Sequence, residues 1–291
     1  MALNDILRRK IVLLDGAMGT QLLAQGERGV LERFNTENSE LIKSVHRSYL
    51  EAGADIITTN TICADVLTLK SAGLKLNSYD LALAGAKLAV EVAKEFSTSE
   101  HPRFVAGSVG PTSRNLTLAN DTTPEEVAEA YSQLLRGLID GGADMILIES
   151  AMDAKNVNIA IEQCRQIDTQ IPIILSAVLS RIEGRVASGA TIAKFFGDVD
   201  LEQVAVVGFN CTNGVKPLEV AIKSLSEVTN KPIIVYPSAG EPRVAVNHFS
   251  KAMEQLCRSS LVNIIGGCCG TTPEYIAQLN KVATRWRPKK F

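Results

Sequence analysis

Apolar residues recur along this chain in two alternating rhythms. Short runs rich in β-branched residues occupy Ile11–Leu14, Asp55–Thr59, Phe104–Ser108, Met145–Ile148, Ile171–Val178, Val204–Gly208, Pro232–Tyr236 and Val262–Ile265. Their composition and length predict strands. Between them lie longer stretches whose apolar positions follow helical spacing: Glu40–Ala52, Leu81–Phe96, Thr123–Asp140, Ala154–Gln166, Thr191–Phe196, Pro217–Val228 and Phe249–Ser259. Gly53 is placed to stop the first of these. Thr123 can cap the third, and Pro124 fits its first turn. A last helix begins at Thr272 and Pro273.

Each strand-like run is followed by a helix-like run, and the pattern repeats eight times. Such alternation predicts parallel strands joined by right-handed crossovers. Eight repeats in 291 residues predict a (β/α)₈ TIM barrel, with residues 1–291 forming one domain. A doubly wound open sheet is the weaker alternative, because Gly16-x-x-Gly19 lacks the full dinucleotide fingerprint.

A barrel of this kind carries its chemistry at the C-terminal ends of its strands. The notable polar residues fall there: Asp15 after the first strand, Asn60 after the second, Glu149 after the fourth, Asn210 and Cys211 after the sixth, Cys268 and Cys269 after the eighth. Cys268 and Cys269 stand between Gly267 and Gly270, which permit a sharp turn. Adjacent cysteines rarely pair with each other, since a disulfide needs a longer Cα separation than neighbouring residues offer. Two thiols at a tight turn is the bland reading. Closure of the ring sets strand six two places from strand eight, so Cys211 can join the pair. Three thiolates could then bind one zinc and leave a fourth position open, the catalytic rather than the structural pattern. Glu149 sits at the rim of a buried strand and needs a partner, either a substrate ammonium or a salt bridge inside the barrel mouth. Asn60 reads as a hydrogen-bonding member of a network. Cys63, Cys164 and Cys257 read as ordinary buried thiols.

Composition narrows the field. The net charge is −2 with both signs interspersed, which leaves no electrostatic footprint for nucleic acid. No apolar run is long enough to span a bilayer, and Met1–Lys10 has no signal-peptide core, so a cytoplasmic protein without membrane partners is expected. Its six cysteines are then reduced thiols or metal ligands rather than disulfides. Only three histidines occur, with no His-x-x-x-His pair, so any metal site must lean on sulfur. No strand end carries the lysine that an aldolase-type Schiff base requires.

These motifs resemble the homocysteine S-methyltransferase family of zinc-dependent barrels. The likeness runs nearly end to end, through Leu14–Thr20, Ala52–Thr61, Val105–Thr112, Gly141–Asp144, Ile148-Glu149, Gly208–Cys211 and Gly266–Pro273. Val45–Tyr49, Gly110–Thr112 and Ser188-Gly189 look most like the homocysteine-binding module of cobalamin-dependent methionine synthase. The resemblance implies zinc ligation by Cys211, Cys268 and Cys269. It also implies that Asp15 and Glu149 hold the amino group of homocysteine, with backbone near Gly16 meeting its carboxylate. Two positions depart from the family pattern. Ser238 stands where an asparagine that can fill the open zinc position is common, and Ile62 replaces an aromatic residue.

The resemblance leaves the methyl donor open. Methylcobalamin on a separate corrinoid protein or module is the expected source, with S-methylmethionine, betaine or another small donor as the alternative. The reading from another class is a non-enzymatic zinc-binding or thiol-redox barrel.

Overall fold

The computed structural model describes residues 3–118 and 121–291. Ala119 and Asn120 lie outside the described residues, as do Met1 and Ala2 of Met1–Lys10. Eight parallel strands follow one another around a sheet: β1 Val12–Leu13, β2 Ile56–Thr58, β3 Phe104–Val109, β4 Met145–Ala151, β5 Ile173–Val178, β6 Val206–Asn210, β7 Ile233–Tyr236 and β8 Ile264–Ile265. β8 pairs with both β7 and β1. The ring closes through a parallel bridge between Leu14 and Ile56, where the Asp15 N–H donates to the Ile56 carbonyl at 3.0 Å. The chain is a single (β/α)₈ barrel.

Alternate strand residues divide between two cores, as a period-2 pleat requires. Val12, Leu14, Ile56, Ala106, Met145, Leu147, Ile174, Val206, Ile234 and Ile264 fill the barrel interior. Leu13, Ile57, Val105, Ile146, Ile148, Val207, Val235 and Ile265 face outward and pack under the helices. The principal helices are Ser39–Glu51, Ser78–Phe96, Pro124–Asp140, Ala154–Ile167, Ile192–Gly197, Leu218–Ser226, Val246–Arg258 and Pro273–Ala283. Thr123 forms a full capping box with Glu126, its hydroxyl accepting from the Glu126 N–H at 3.3 Å and its own N–H donating back at 3.1 Å. Among the described residues no helix is long and apolar enough to cross a membrane.

Four short helices escape the periodicity reading: Leu3–Arg9, Met18–Ala24, Phe34–Glu37 and Val66–Ser71. Each spans under two turns of helix, too short to display a period. The first has a structural purpose, since Ile6 and Leu7 plug the N-terminal mouth of the barrel. At that same end Asp55 gathers Lys10 and His101, each at 2.7 Å, and accepts the Leu13 N–H at 2.9 Å. The opposite mouth is left for chemistry.

Candidate metal and substrate site

Three loops bring the thiols together. β6 ends at Asn210, and Cys211 then takes a left-handed backbone, φ 50°. Its N–H donates to the Tyr236 carbonyl at 3.1 Å, which ties it to the end of β7. The β8 loop is pinned on both sides. The Gly267 N–H donates to the Asp15 carbonyl at 3.0 Å, the Cys268 N–H to the Pro237 carbonyl at 2.9 Å, and the Ala239 N–H to the Cys269 carbonyl at 2.8 Å. Thr271 locks the turn, its hydroxyl donating to the Cys268 carbonyl at 2.7 Å. A Cβ on Gly267 would lie 2.4 Å from the Thr271 hydroxyl oxygen, so only glycine permits this close approach.

The sulfur atoms of Cys211, Cys268 and Cys269 all lie within 4.8 Å of one another, with Cys211 and Cys269 at 3.4 Å. Three thiolates on one tetrahedral zinc, each about 2.3 Å from the ion, would stand roughly 3.8 Å apart. The donor set fits a zinc ion in number, spacing and softness. Cys269 is pushed well below the ordinary thiol range because the Cys211 and Cys268 thiols donate to it. Cys268 is pushed up by the Cys211 and Cys269 thiols and by burial. Three thiolates gathered this closely would need a cation to offset their charge.

Beside the thiols lies a cavity of about 340 Å³. Asp15, Gly16, Asn60, Glu149, Cys268 and Cys269 line it together with Tyr236, Ser108, Glu32 and Cys63. Asp15 is buried and accepts from the Thr58 N–H at 2.8 Å and the Thr58 hydroxyl at 3.2 Å. Burial drives its carboxyl up, the Thr58 contacts oppose that, and the Glu149 charge adds to it. Glu149 accepts from the Ser108 hydroxyl at 2.5 Å and the Tyr236 hydroxyl at 3.2 Å. Burial raises it to about 6 despite those two donors. Both carboxylates therefore lack a cation. Neither forms a salt bridge among the described residues, so the expected alternative of an internal ion pair for Glu149 is not what the barrel mouth contains.

Gly16 has no room for a side chain, since a Cβ would lie 2.7 Å from the Tyr49 ring. Tyr49 in turn donates its hydroxyl to the Ala17 carbonyl at 2.8 Å. Asn60 lies in a polar network: its amide donates to the Leu31 carbonyl and to Asn35 Oδ1, both at 3.0 Å. Asn210 is fully buried, and its Oδ1 accepts from the Ser150 N–H and the Ser176 hydroxyl, both at 2.9 Å. Its Nδ2 donates to the Ser150 hydroxyl at 2.9 Å. Ser238 points its hydroxyl at the Thr212 carbonyl, 2.6 Å away, and its N–H donates to the same carbonyl at 3.0 Å.

Cys164 and Cys257 are buried thiols as expected, but Cys63 is not: it is exposed and lines the cavity. The turn at Thr61–Ala64 swings it from the β2 line to the rim, where apolar periodicity has no bearing. Ser108, Tyr236 and Glu32 were not singled out from sequence. The first two stand at the C-terminal ends of β3 and β7, so the strand-end rule that found Glu149 could have found them. Glu32 sits in a short 3₁₀ turn, Leu31–Arg33, and carries no sequence signal.

A family model described as homocysteine S-methyltransferase matches residues 12–283. The chain is similar to crystal structures of the homocysteine methyltransferase MmuM from Escherichia coli. The oxidized form superposes with a TM-score of 0.81 at 26% identity, covering 96% of this chain and 98% of that one. The metallated form gives 0.79 at 25% identity with the same coverage, and the apo form 0.75 at 26% identity, covering 97% and 98%.

Proposed function

The chain belongs to the homocysteine S-methyltransferase family, and from that premise we propose that it methylates the thiol of homocysteine to give methionine at a zinc site formed by Cys211, Cys268 and Cys269. The observation that carries the proposal is the juxtaposition of three clustered thiols, two of which line the cavity, with two buried carboxylates in the same cavity that lack a cation. Zinc bound there would keep the substrate thiol deprotonated and nucleophilic near neutral pH.

The chain's own residues bind and orient. Asp15 and Glu149 receive the ammonium of homocysteine, which supplies the charge that their burial leaves unmet. The backbone at Gly16 meets the carboxylate. Ser108 and Tyr236 hold the Glu149 carboxylate from both oxygens, so its position is set before substrate arrives. Asn60 and Asn210 act as supports for the loops rather than as contacts to the reacting atoms. Ser238 serves as a loop anchor, its hydroxyl proton committed to Thr212. The reaction needs reduced thiols, which suits the cytoplasm.

For the donor we favour a small onium compound over methylcobalamin on a separate corrinoid protein. The likeness to the cobalamin-linked module supports the corrinoid route. The cavity wall supports the other: it holds Asp15, Glu32 and Glu149 and no lysine, arginine or histidine. A panel of methylcobalamin, 5-methyltetrahydrofolate with a corrinoid protein, S-methylmethionine and betaine, each with homocysteine, tests both. Methionine should form with at least one donor, and Cys268→Ala should lose both zinc and activity. A zinc-loaded protein that methylates homocysteine from none of them would instead be a zinc-binding or thiol-redox barrel.

A further inference from the structure

The loop after β1, which carries Asp15 and Gly16, and the loop after β8, which carries two of the thiols, are joined by two side chains. Thr271 is completely buried between them. Its hydroxyl donates to the Cys268 carbonyl at 2.7 Å and accepts the Ala17 N–H at 3.3 Å. A Cβ on Gly16 or on Gly267 would strike that same oxygen, at 2.9 and 2.4 Å. Thr271 thus fills the seam between two glycines, one next to Asp15 and one next to Cys268. Tyr49, on the helix Ser39–Glu51, closes the seam and is also completely buried. Its hydroxyl lies 2.8 Å from the Ala17 carbonyl and 3.3 Å from the Thr271 carbonyl, so one proton serves both loops. Burial and the Asp15 charge hold that proton on the phenol. Gln21 adds a third tie, its Nε2 donating to the Thr271 carbonyl at 3.2 Å.

Neither Thr271 nor Tyr49 lines the cavity or belongs to the thiol cluster. Whatever they do for ligands is done through the residues they hold. Close packing and hydrogen bonds to both backbones leave little room for one loop to move alone. The Cys211 and Cys269 sulfurs stand 3.4 Å apart, closer than the roughly 3.8 Å that a shared tetrahedral zinc sets. The thiols therefore have to spread to take up the metal, and any shift of the Cys268-Cys269 turn passes through Thr271 to Gly16 and Ala17.

We propose that Thr271 and Tyr49 are positioning residues that couple the metal site to the amino-acid site, so that each ligand binds more tightly when the other is present. This rests on homocysteine being the acceptor, with its amino and carboxyl groups at Asp15, Glu149 and Gly16. Part of such cooperativity comes directly from the substrate sulfur meeting the metal. The part carried by the seam needs no sulfur. It should therefore appear with L-2-aminobutyrate, which has the amino group, carboxyl group and carbon chain of homocysteine and no thiol. Coupling between two ligands is reciprocal, so it can be read as the change that this amino acid makes in zinc affinity.

The zinc Kd of the full, reduced chain is measured by competition with a chromophoric chelator, without and with excess L-2-aminobutyrate. D-2-aminobutyrate, which has the same groups for complexing free zinc, is the control. The L form should lower the zinc Kd about fivefold or more. In Thr271→Val, which keeps the branched shape and loses the hydroxyl, that ratio should fall to about one, and Thr271→Ser should restore it. A merely structural role would weaken zinc binding alike in both conditions and leave the ratio as it was. Tyr49→Phe should also lower the ratio, and it decides the matter if Thr271→Val does not fold. A ratio of about one in the parent protein overturns the coupling, as does a parental ratio in Thr271→Val or, where that variant does not fold, in Tyr49→Phe. Methionine formation from homocysteine is assayed beside it with the donor panel above. Turnover in a parent protein that shows no coupling overturns this inference alone. Absence of turnover with every donor removes the homocysteine reading, and the inference with it.

Discussion

A buried carboxylate without a cation holds its proton more tightly, and at Glu149 the effect reaches the physiological range, to about 6. Above that pH the group is charged and can take an ammonium; below it the proton competes with the ligand. Homocysteine affinity should therefore fall as pH drops through about 6, and Glu149→Gln should flatten that part of the profile. Removing the charge should also weaken homocysteine binding by about 2–4 kcal/mol, since it strips one partner from a buried charge pair. Zinc affinity should barely move, because no Glu149 atom belongs to the thiol cluster. Titrating homocysteine and zinc separately into the variant checks both; equal loss of the two would make Glu149 a scaffold residue instead.

At the scale of elements, the ends of β4 and β6 are joined by one side chain. Glu149 is followed by Ser150 and Asn210 by Cys211, and both followers have left-handed backbones, φ 55° and 50°. Such conformations are costly for residues with a side chain and persist only when the surroundings enforce them. The Asn210 amide does so for Ser150 through three hydrogen bonds shared with Ser176. Asn210→Ala should cost about 2–3 kcal/mol of stability, since buried partners are left unpaired. It should also weaken both zinc and homocysteine binding. A variant that loses stability yet binds both ligands as before would confine Asn210 to packing. Strand and helix order was legible, because apolar period is imposed by burial on two faces of the sheet. The thiol cluster was legible once the strand count placed β6 near β8. The extension of β4 past Glu149 was not, because it depends on a bulge between Ile148 and Ala151 and on the Asn210 clamp, both contributed by neighbours distant in sequence. Glu32 was hidden for the same reason: its partner Cys63 is thirty-one positions away.

For the whole molecule, the metal site is an addition to the barrel rather than its foundation. The thiols lie on loops beyond the strands, while the interior and the sheet–helix layer are apolar and continuous without them. Chelation should therefore leave a folded protein with unchanged far-ultraviolet circular dichroism. Free zinc at 100 times its Kd adds about 2.7 kcal/mol to stability, so its removal should lower Tm by roughly 5 °C. Loss of the dichroism signal on chelation would make the metal a folding nucleus.

Closure of the ring has a further consequence for how the protein is made. Cys211 emerges from the ribosome with β6, but Cys268 and Cys269 follow β8, the strand that seals the sheet against β1. A growing chain therefore carries Cys211 alone of the three until β8 has been made, and all three come together only once that strand is in place. Metal loading is in this way deferred to the moment the barrel shuts, and an unfinished chain presents no complete site to misload.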